Sequence, residues 1–163
     1  MDLLPLIPDN ISEVLVKIIA FAGLRRSILH RNIRNLATSS YVPEDLPVLE
    51  FAEVLNSAIS EHLQNHRLLF QDTPHIEFGR NGAMRVHPVI DDYAKTLLET
   101  NPDEYVELQV SRLQENSLNC RVAEELMRQN SGVIGDVPRL GLNEVMAGDT
   151  FPDDLPSQLD STD

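Results

Sequence analysis

Two histidines, His62 and His66, have the residue type and spacing that come nearest to a chemical site in this sequence. On a helix they lie four positions apart, a spacing that can place two imidazoles on one metal ion. Two ligands alone are a weak signal, and neither a Glu-Xaa-Xaa-His motif nor a cysteine pair accompanies them. We therefore interpret the pair as part of a solvated helix face, with a metal site as the alternative.

The only cysteine, Cys120, excludes a disulfide within the sequence. It lies in a helical pattern without an evident base to stabilise a thiolate, so we interpret it as a small core residue and not as a nucleophile. The sequence also lacks a glycine-rich phosphate loop, a defensible pair of catalytic carboxylates and a Ser/His/Asp set. These observations predict a protein that is not an enzyme and uses no cofactor.

A basic cluster lies between positions 25 and 34; it consists of Arg25, Arg26, His30, Arg31 and Arg34. One interpretation is a regulatory adapter that contacts nucleic acid or lipid through this cluster. The other is a solvated face paired with acidic neighbours. The 13 Lys and Arg residues against 26 Asp and Glu residues give a net charge of -13, and aromatic residues do not interleave the cluster, so the second interpretation is favoured. We expect no nucleic-acid partner.

The two ends of the sequence differ in character from the rest. Residues 1–9 contain Pro5 and Pro8 and are predicted to be disordered, and they lack the pattern of a cleaved signal peptide. The apolar run 14–24 is too short to span a bilayer and contains Lys17, so we expect no membrane insertion. Residues 132–163 carry glycines, prolines and many acids, which predicts a disordered acidic tail.

Helical periodicity predicts a long N-terminal helix over residues 10–38, opened by a capping box of Asn10 and Glu13. Its apolar residues recur at spacings of three and four, which is typical of a helix-packing seam. Polar residues at two seam positions are expected to fix register at some cost in stability. The predicted seam is Leu15, Ile18, Ala22, Arg25, Leu29, Asn32 and Leu36.

The middle segment, residues 39–99, is predicted to be mainly helical. Prolines at 43 and 47 break the first helix, and Asp45 is a candidate N-cap for a helix from Val48 to about Phe70. The apolar face of that helix is predicted to be Leu49, Ala52, Leu55, Ile59 and Leu63. Asn81-Gly82 then predicts a short β-hairpin, with a loop as the alternative, and Pro88 is expected to open a short helix.

A second long helix is predicted over residues 100–131, because Asn101-Pro102 is a typical helix start and Ser131-Gly132 a typical stop. Its predicted seam is Val106, Val110, Leu113, Asn116, Cys120, Ala123 and Met127. Two incomplete seams, one near each end, indicate helices that pack against each other or against copies in neighbouring molecules. The expected fold class is mainly α, with the two long helices forming a coiled-coil-like pair.

The stretch from Asn32 to Tyr41 resembles a family signature. It is similar to Asn-Ile/Leu-Ala-Asn-Xaa-Xaa-Thr-Pro-Gly-Tyr, which ends the N-terminal helix of bacterial flagellar rod and hook axial proteins. Asp45 and the segment from Leu49 to Leu55 resemble elements that follow it in proximal rod members of the family. The residues that carry this match are Asn32, Asn35, Thr38, Tyr41, Asp45 and Phe51.

A second match lies near the other end. Val106-Glu107-Leu108-Gln109 and Glu115-Asn116-Ser117-Leu118 resemble the Val-Asp-Leu-Glu and Glu-Asn-Xaa-Leu of the family's C-terminal helix. The resemblance implies a structural subunit of the flagellar basal-body rod, located in the periplasm. It also implies export through the flagellar type III apparatus without a cleaved signal. Its implied partners are the export apparatus, other rod and basal-body subunits, and further copies of itself in a helical assembly.

The sequence departs from the family pattern at several points. Ser39-Ser40 replaces Pro-Gly, which predicts a different turn, and Arg34 replaces an alanine. Phe51 and Leu55 resemble the Phe-Xaa-Xaa-Xaa-apolar export element of early flagellar substrates. Since apolar residues four apart are also what any helix face carries, both interpretations stay open.

Overall fold

The computed structural model describes residues 6–131, with side chains from Asn10 to Asn130. Over that range the chain is mainly helical, as expected, and contains four α-helices and two small antiparallel sheets. Residues 1–5 and the predicted acidic tail 132–163 lie outside the described residues. In the described part, no helix is both long enough and apolar enough to cross a bilayer.

Helix α1 spans Leu6–Arg34. It begins four residues before Asn10, so the helix start that the capping box predicted was wrong. Pro8 is compatible with this start because the first turn of a helix leaves its N–H groups without intrahelical partners. The helix ends at Arg34 and not near residue 38, because residues 35–40 form hydrogen-bonded turns instead of a further helical turn.

Helix α4 spans Pro102–Ser131 and begins as predicted, with the Asn101 side chain accepting a hydrogen bond from the backbone N–H of Glu104 at 3.3 Å. It packs antiparallel to α1. Asn130 Nδ2 donates to Ser12 Oγ at 2.9 Å, and Asn116 Nδ2 donates to the carbonyl of Ala22 at 2.7 Å. The two long helices therefore meet along most of their lengths, with asparagines bridging the contact.

Between them lie a short strand and a helix, β1 (Glu44–Asp45) and α2 (Val48–Asn65). Asp45 is not the N-cap of α2, because Pro47 takes that position and the Asp45 carboxylate is used elsewhere. The helix ends before Phe70, since His66 adopts a left-handed conformation at φ 56°.

The face that α2 buries also differs from the prediction. Phe51, Val54 and Ala58 face inward, whereas Leu49 and Leu63 are 82% and 74% exposed. The reason is tertiary, because Phe51 stacks on Phe21 of α1 with ring centroids 4.0 Å apart, which turns that side of α2 to the core.

The predicted β-hairpin is confirmed as β2 (Ile76–Phe78) and β3 (Met84–Val86), joined by residues 79–83. Asn81 and Gly82 both have positive φ, at 59° and 78°, as the choice of this dipeptide indicated. Lys17 joins the loop to α1, because its ammonium donates a hydrogen bond to the Gly82 carbonyl. The same ammonium lies over the rings of Phe70 and Phe78.

The segment after the hairpin forms β4 (Val89–Ile90) and α3 (Asp92–Thr100). Strand β4 pairs antiparallel with β1, with Asp45 opposite Val89. Pro88 does not open the helix as predicted; Asp91 caps α3 by accepting a hydrogen bond from the N–H of Ala94 at 2.9 Å. The main core cluster is shared by α1, α2, the hairpin and the residue that follows β1, and consists of Phe21, Ile28, Leu46, Phe51 and Ile76.

Candidate functional site: a buried polar junction

The last turns of α1, strand β1 and the first turns of α4 meet in a group of buried hydrogen-bonding side chains, which we call the junction. Asn32 is at its centre and is fully buried. Its Nδ2 donates to the Glu44 carbonyl at 2.8 Å and to Gln109 Oε1 at 3.0 Å. One side chain thereby joins α1 to β1 and to α4. The junction residues are Arg25, Asn32, Tyr41, Asp45, Asp91, Tyr105, Gln109 and Arg112.

The turn after α1 closes onto Asn32. Tyr41 donates its hydroxyl hydrogen to Asn32 Oδ1 at 2.8 Å. Earlier in the turn, Asn35 donates to the Arg31 carbonyl and accepts a hydrogen bond from Thr38. Ser40 takes a left-handed conformation at φ 61°, which favours glycine, the residue that the family signature has at this position. Asn32, Asn35, Thr38 and Tyr41 thus organise the end of one helix.

Four charged side chains extend the junction across β1 and α4 to the start of α3. Arg25 makes a bidentate pair with Asp45, with both N–O distances 2.8 Å. Arg112 lies 3.7 Å from the same carboxylate and also pairs with Asp91, the N-cap of α3. Arg25 and Asp45 are both buried, so each neutralises a charge that would otherwise be costly in the interior. The chain of charges fixes four elements relative to one another.

Tyr105 and Gln109 are the α4 residues that contact Asn32. The Tyr105 hydroxyl donates to the Asn32 carbonyl at 3.2 Å, and burial, with smaller contributions from Tyr41 and Asp91, raises the pKa of Tyr105 to about 12. Gln109 Nε2 is buried and has no hydrogen-bond partner among the described residues. The hydrogen bonds and ion pairs of the junction hold α1, β1, α3 and α4 together.

The predicted seam residues of α1 are mostly inside the protein. Leu15, Ala22, Arg25, Leu29 and Asn32 are buried, and Ile18 is half-buried. Leu36 is exposed because α1 has already ended at Arg34.

The predicted seam of α4 is displaced at its start. Asn116 and Ala123 are buried, whereas Val110 is 40% exposed. Tyr105 and Gln109 occupy the inward positions of the first turns instead. The remaining predicted positions are half-buried: Val106, Leu113, Cys120 and Met127.

The basic cluster of α1 divides into two groups. Arg25 is buried against Asp45, and Arg31 pairs with Glu44 at the surface. Arg26, His30 and Arg34 are exposed. The cluster is therefore not one continuous basic surface, since its most buried member belongs to the junction.

His62 lies in the last turn of α2, and His66 is the C-cap of this helix. Their ring centroids are 6.5 Å apart with the ring planes nearly perpendicular, and His62 Nδ1 lies 3.4 Å from Asn10 Nδ2. Among the described residues, no group of three His, Cys, Asp or Glu side chains is placed to hold a metal ion.

Burial and the neighbouring Glu124 raise the pKa of the Cys120 thiol, which disfavours the reactive thiolate.

Phe51 and Leu55, the pair that resembles an export element, face the core in the folded chain. Phe51 is buried against Phe21, and Leu55 packs against the same cluster. Their spacing therefore serves helix packing here, and a role in export would apply to the chain before it folds.

Sequence reasoning assigned no site role to Tyr105, Arg112 or Asp91, and named Gln109 only as the last residue of a segment that resembles the family. Tyr105, Gln109 and Arg112 are spaced by four and three residues, and Asn116 follows four residues later. A search for helix-packing positions that allowed polar residues would have identified them. Asp91 had no such signal, because its role depends on where α3 begins.

No protein-family model, curated protein or solved structure matches this chain.

Proposed function

We propose that the protein is a structural subunit of the bacterial flagellar basal-body rod, and that α1 and α4 act in it as a coiled-coil-like pair. One observation carries the proposal. The two separated segments that resemble the family, 32–41 and 106–118, meet at the junction, where Asn32 bonds Tyr41 and Gln109. A chance resemblance in two distant segments gives no reason for their polar residues to be mutual partners.

Exposed apolar residues on the helices give further support. Leu118, Val122 and Leu126 lie four apart on α4 and are 55%, 50% and 48% exposed. Leu49 and Leu63 are the ends of a similar stripe on α2. Such stripes are typical of surfaces that pack against further helices, as a subunit in a helical assembly requires.

In this proposal the subunit leaves the cytoplasm through the flagellar type III apparatus and lies in the periplasmic part of the flagellum. Its partners are other rod and basal-body subunits and further copies of itself. The alternative, a regulatory adapter that binds nucleic acid or lipid through the Arg25–Arg34 cluster, is less favoured because Arg25 and Arg31 already have carboxylate partners.

The test must separate assembly from folding. Leu29 is fully buried, so an aspartate there would unfold the subunit and report nothing on assembly. We would instead replace Leu118, Val122 and Leu126 together by serine in the source bacterium. The expected result is a protein that still folds cooperatively and a strain that does not swim.

A matched control replaces exposed apolar residues away from these helices, as in Leu69→Ser with Ile90→Ser. The control strain should swim normally. Normal swimming of a strain that lacks the gene would overturn the rod proposal, as would rod fractions without the protein.

A further inference from the structure

Three exposed side chains, Arg26, His30 and Arg34, form a row along the last turns of α1, which we call the cationic row because both arginines carry a positive charge. They are four positions apart, so they lie on one face and cover about 12 Å of helix. None of the hydrogen bonds or ion pairs among residues 10–130 satisfies their side chains; those of the neighbouring Arg25 and Arg31 go to Asp45 and Glu44.

This row concentrates positive charge on one helix face of an acidic chain, which has 26 Asp and Glu residues against 13 Lys and Arg. Two arginines and a histidine at helical spacings of four repel one another when all are charged. The row therefore presents a site for an anionic partner.

We propose that residues 149–163 of the same chain bind the cationic row. This segment contains no Lys or Arg and five aspartates: Asp149, Asp153, Asp154, Asp160 and Asp163. Its charge is complementary to the row, and attachment to the same chain gives it an effective concentration on the order of millimolar. Free nucleic acid or anionic lipid would have to overcome both this tethered competitor and a net charge of -13.

The chain is long enough for this contact. Helix α4 ends at Ser131, close to the start of α1, because Asn130 donates to Ser12. A rise of 1.5 Å per residue places Arg26 and Arg34 roughly 20 and 33 Å from Ser12 along α1. The residues between Ser131 and Asp149 span up to about 60 Å when extended. The segment can therefore reach every member of the row.

The contact is independent of the rod proposal, and it would keep the end of α1 masked from other anions in the isolated subunit. The test uses the full chain with Cys120→Ser and a nitroxide label attached at Ser157→Cys. At low salt, about 10 mM, we expect the amide signals of residues 26–34 to lose roughly half of their intensity, and to recover it near 1 M salt, where the Debye length is about 3 Å.

Paired charge changes give the specificity. Arg26→Gln with Arg34→Gln should abolish the broadening. Arg67→Gln with Arg80→Gln should leave it intact; this control removes the same charge from exposed arginines that make no ion pair within residues 10–130. Because none of these four arginines makes an ion pair within residues 10–130, both double variants should melt at the wild-type temperature.

Absence of broadening in the labelled chain would overturn the proposal, and so would broadening that survives Arg26→Gln with Arg34→Gln. A third measurement addresses the competing partners. If duplex DNA or phosphatidylserine vesicles bind the full chain through Arg26 and Arg34 while the label leaves the row unbroadened, the row is a surface for that polyanion and the intramolecular contact is wrong.

Discussion

The side-chain amide of Asn32 joins α1 to β1, to α4 and to the turn at Tyr41. It is fully buried, and its side chain makes hydrogen bonds to Tyr41, Glu44 and Gln109. Buried polar groups are costly when they lose their partners, more so than the bonds are stabilising when made. The stability of the junction therefore depends on the full set of bonds.

We expect Asn32→Ala to lower the free energy of unfolding by about 3 kcal/mol, because it leaves Gln109 and the Tyr41 hydroxyl without their partner in a buried site. Asn35→Ala removes a nearby asparagine whose bonds are near the surface, so a loss of about 0.5 kcal/mol is expected. Urea unfolding of the two variants measures the difference. Equal losses would show that Asn32 has no special role in stability.

At the scale of elements, the same glycine change should have opposite effects in two elements. Gly23 lies within α1, and a methyl group added there would meet no atom within 4 Å. Gly82 lies in the hairpin loop at φ 78°, where an L-residue is strained. The backbone conformation of the element around each glycine therefore determines whether substitution by alanine raises or lowers the free energy of unfolding.

Gly23→Ala should raise the free energy of unfolding by about 0.5–1 kcal/mol, since alanine is the better helix former. Gly82→Ala should lower it by about 1 kcal/mol. Thermal and urea unfolding of each variant against the wild-type chain give both values. A stabilising Gly82→Ala would mean that the hairpin loop does not hold its left-handed conformation in solution.

At the scale of the whole molecule, stability should fall at alkaline pH through Tyr105. The pKa of this buried phenol is raised to about 12, against about 10 in the unfolded chain. The folded state therefore holds the proton more tightly. This contribution to stability is fully present below pH 10 and is lost as the pH rises from 10 through 12.

The measurement compares the pH dependence of unfolding free energy for the wild-type chain and Tyr105→Phe between pH 9 and 12. A difference on the order of 2 kcal/mol should disappear across that range. Burial lowers the pKa of Lys17, which acts with the opposite sign, but both proteins contain Lys17 and the comparison cancels it. Parallel curves for the two proteins would contradict this account.

Local patterns in the sequence identified what depends on neighbouring residues. Asn101-Pro102 marked the start of α4, and Asn81-Gly82 marked the hairpin, because caps and positive-φ turns are set by the residue types at those positions. The mainly α composition of the fold followed from the same periodicities. For the proposed site, the seam spacing identified Asn32, whereas Tyr41 was identified only through the resemblance to the axial-protein signature, which also includes Asn32 and Asp45.

Only the tertiary structure decided which faces and partners these residues have. The apolar stripe of α2 predicted one buried face, but the stacking of Phe51 on Phe21 selected another. Asp45 had the residue type of an N-cap, but its carboxylate pairs instead with the buried guanidinium of Arg25, twenty positions earlier. Periodicity specifies that a helix has an apolar side, whereas the partner that covers it, and the charge that must be neutralised inside, depend on contacts between segments distant in the chain.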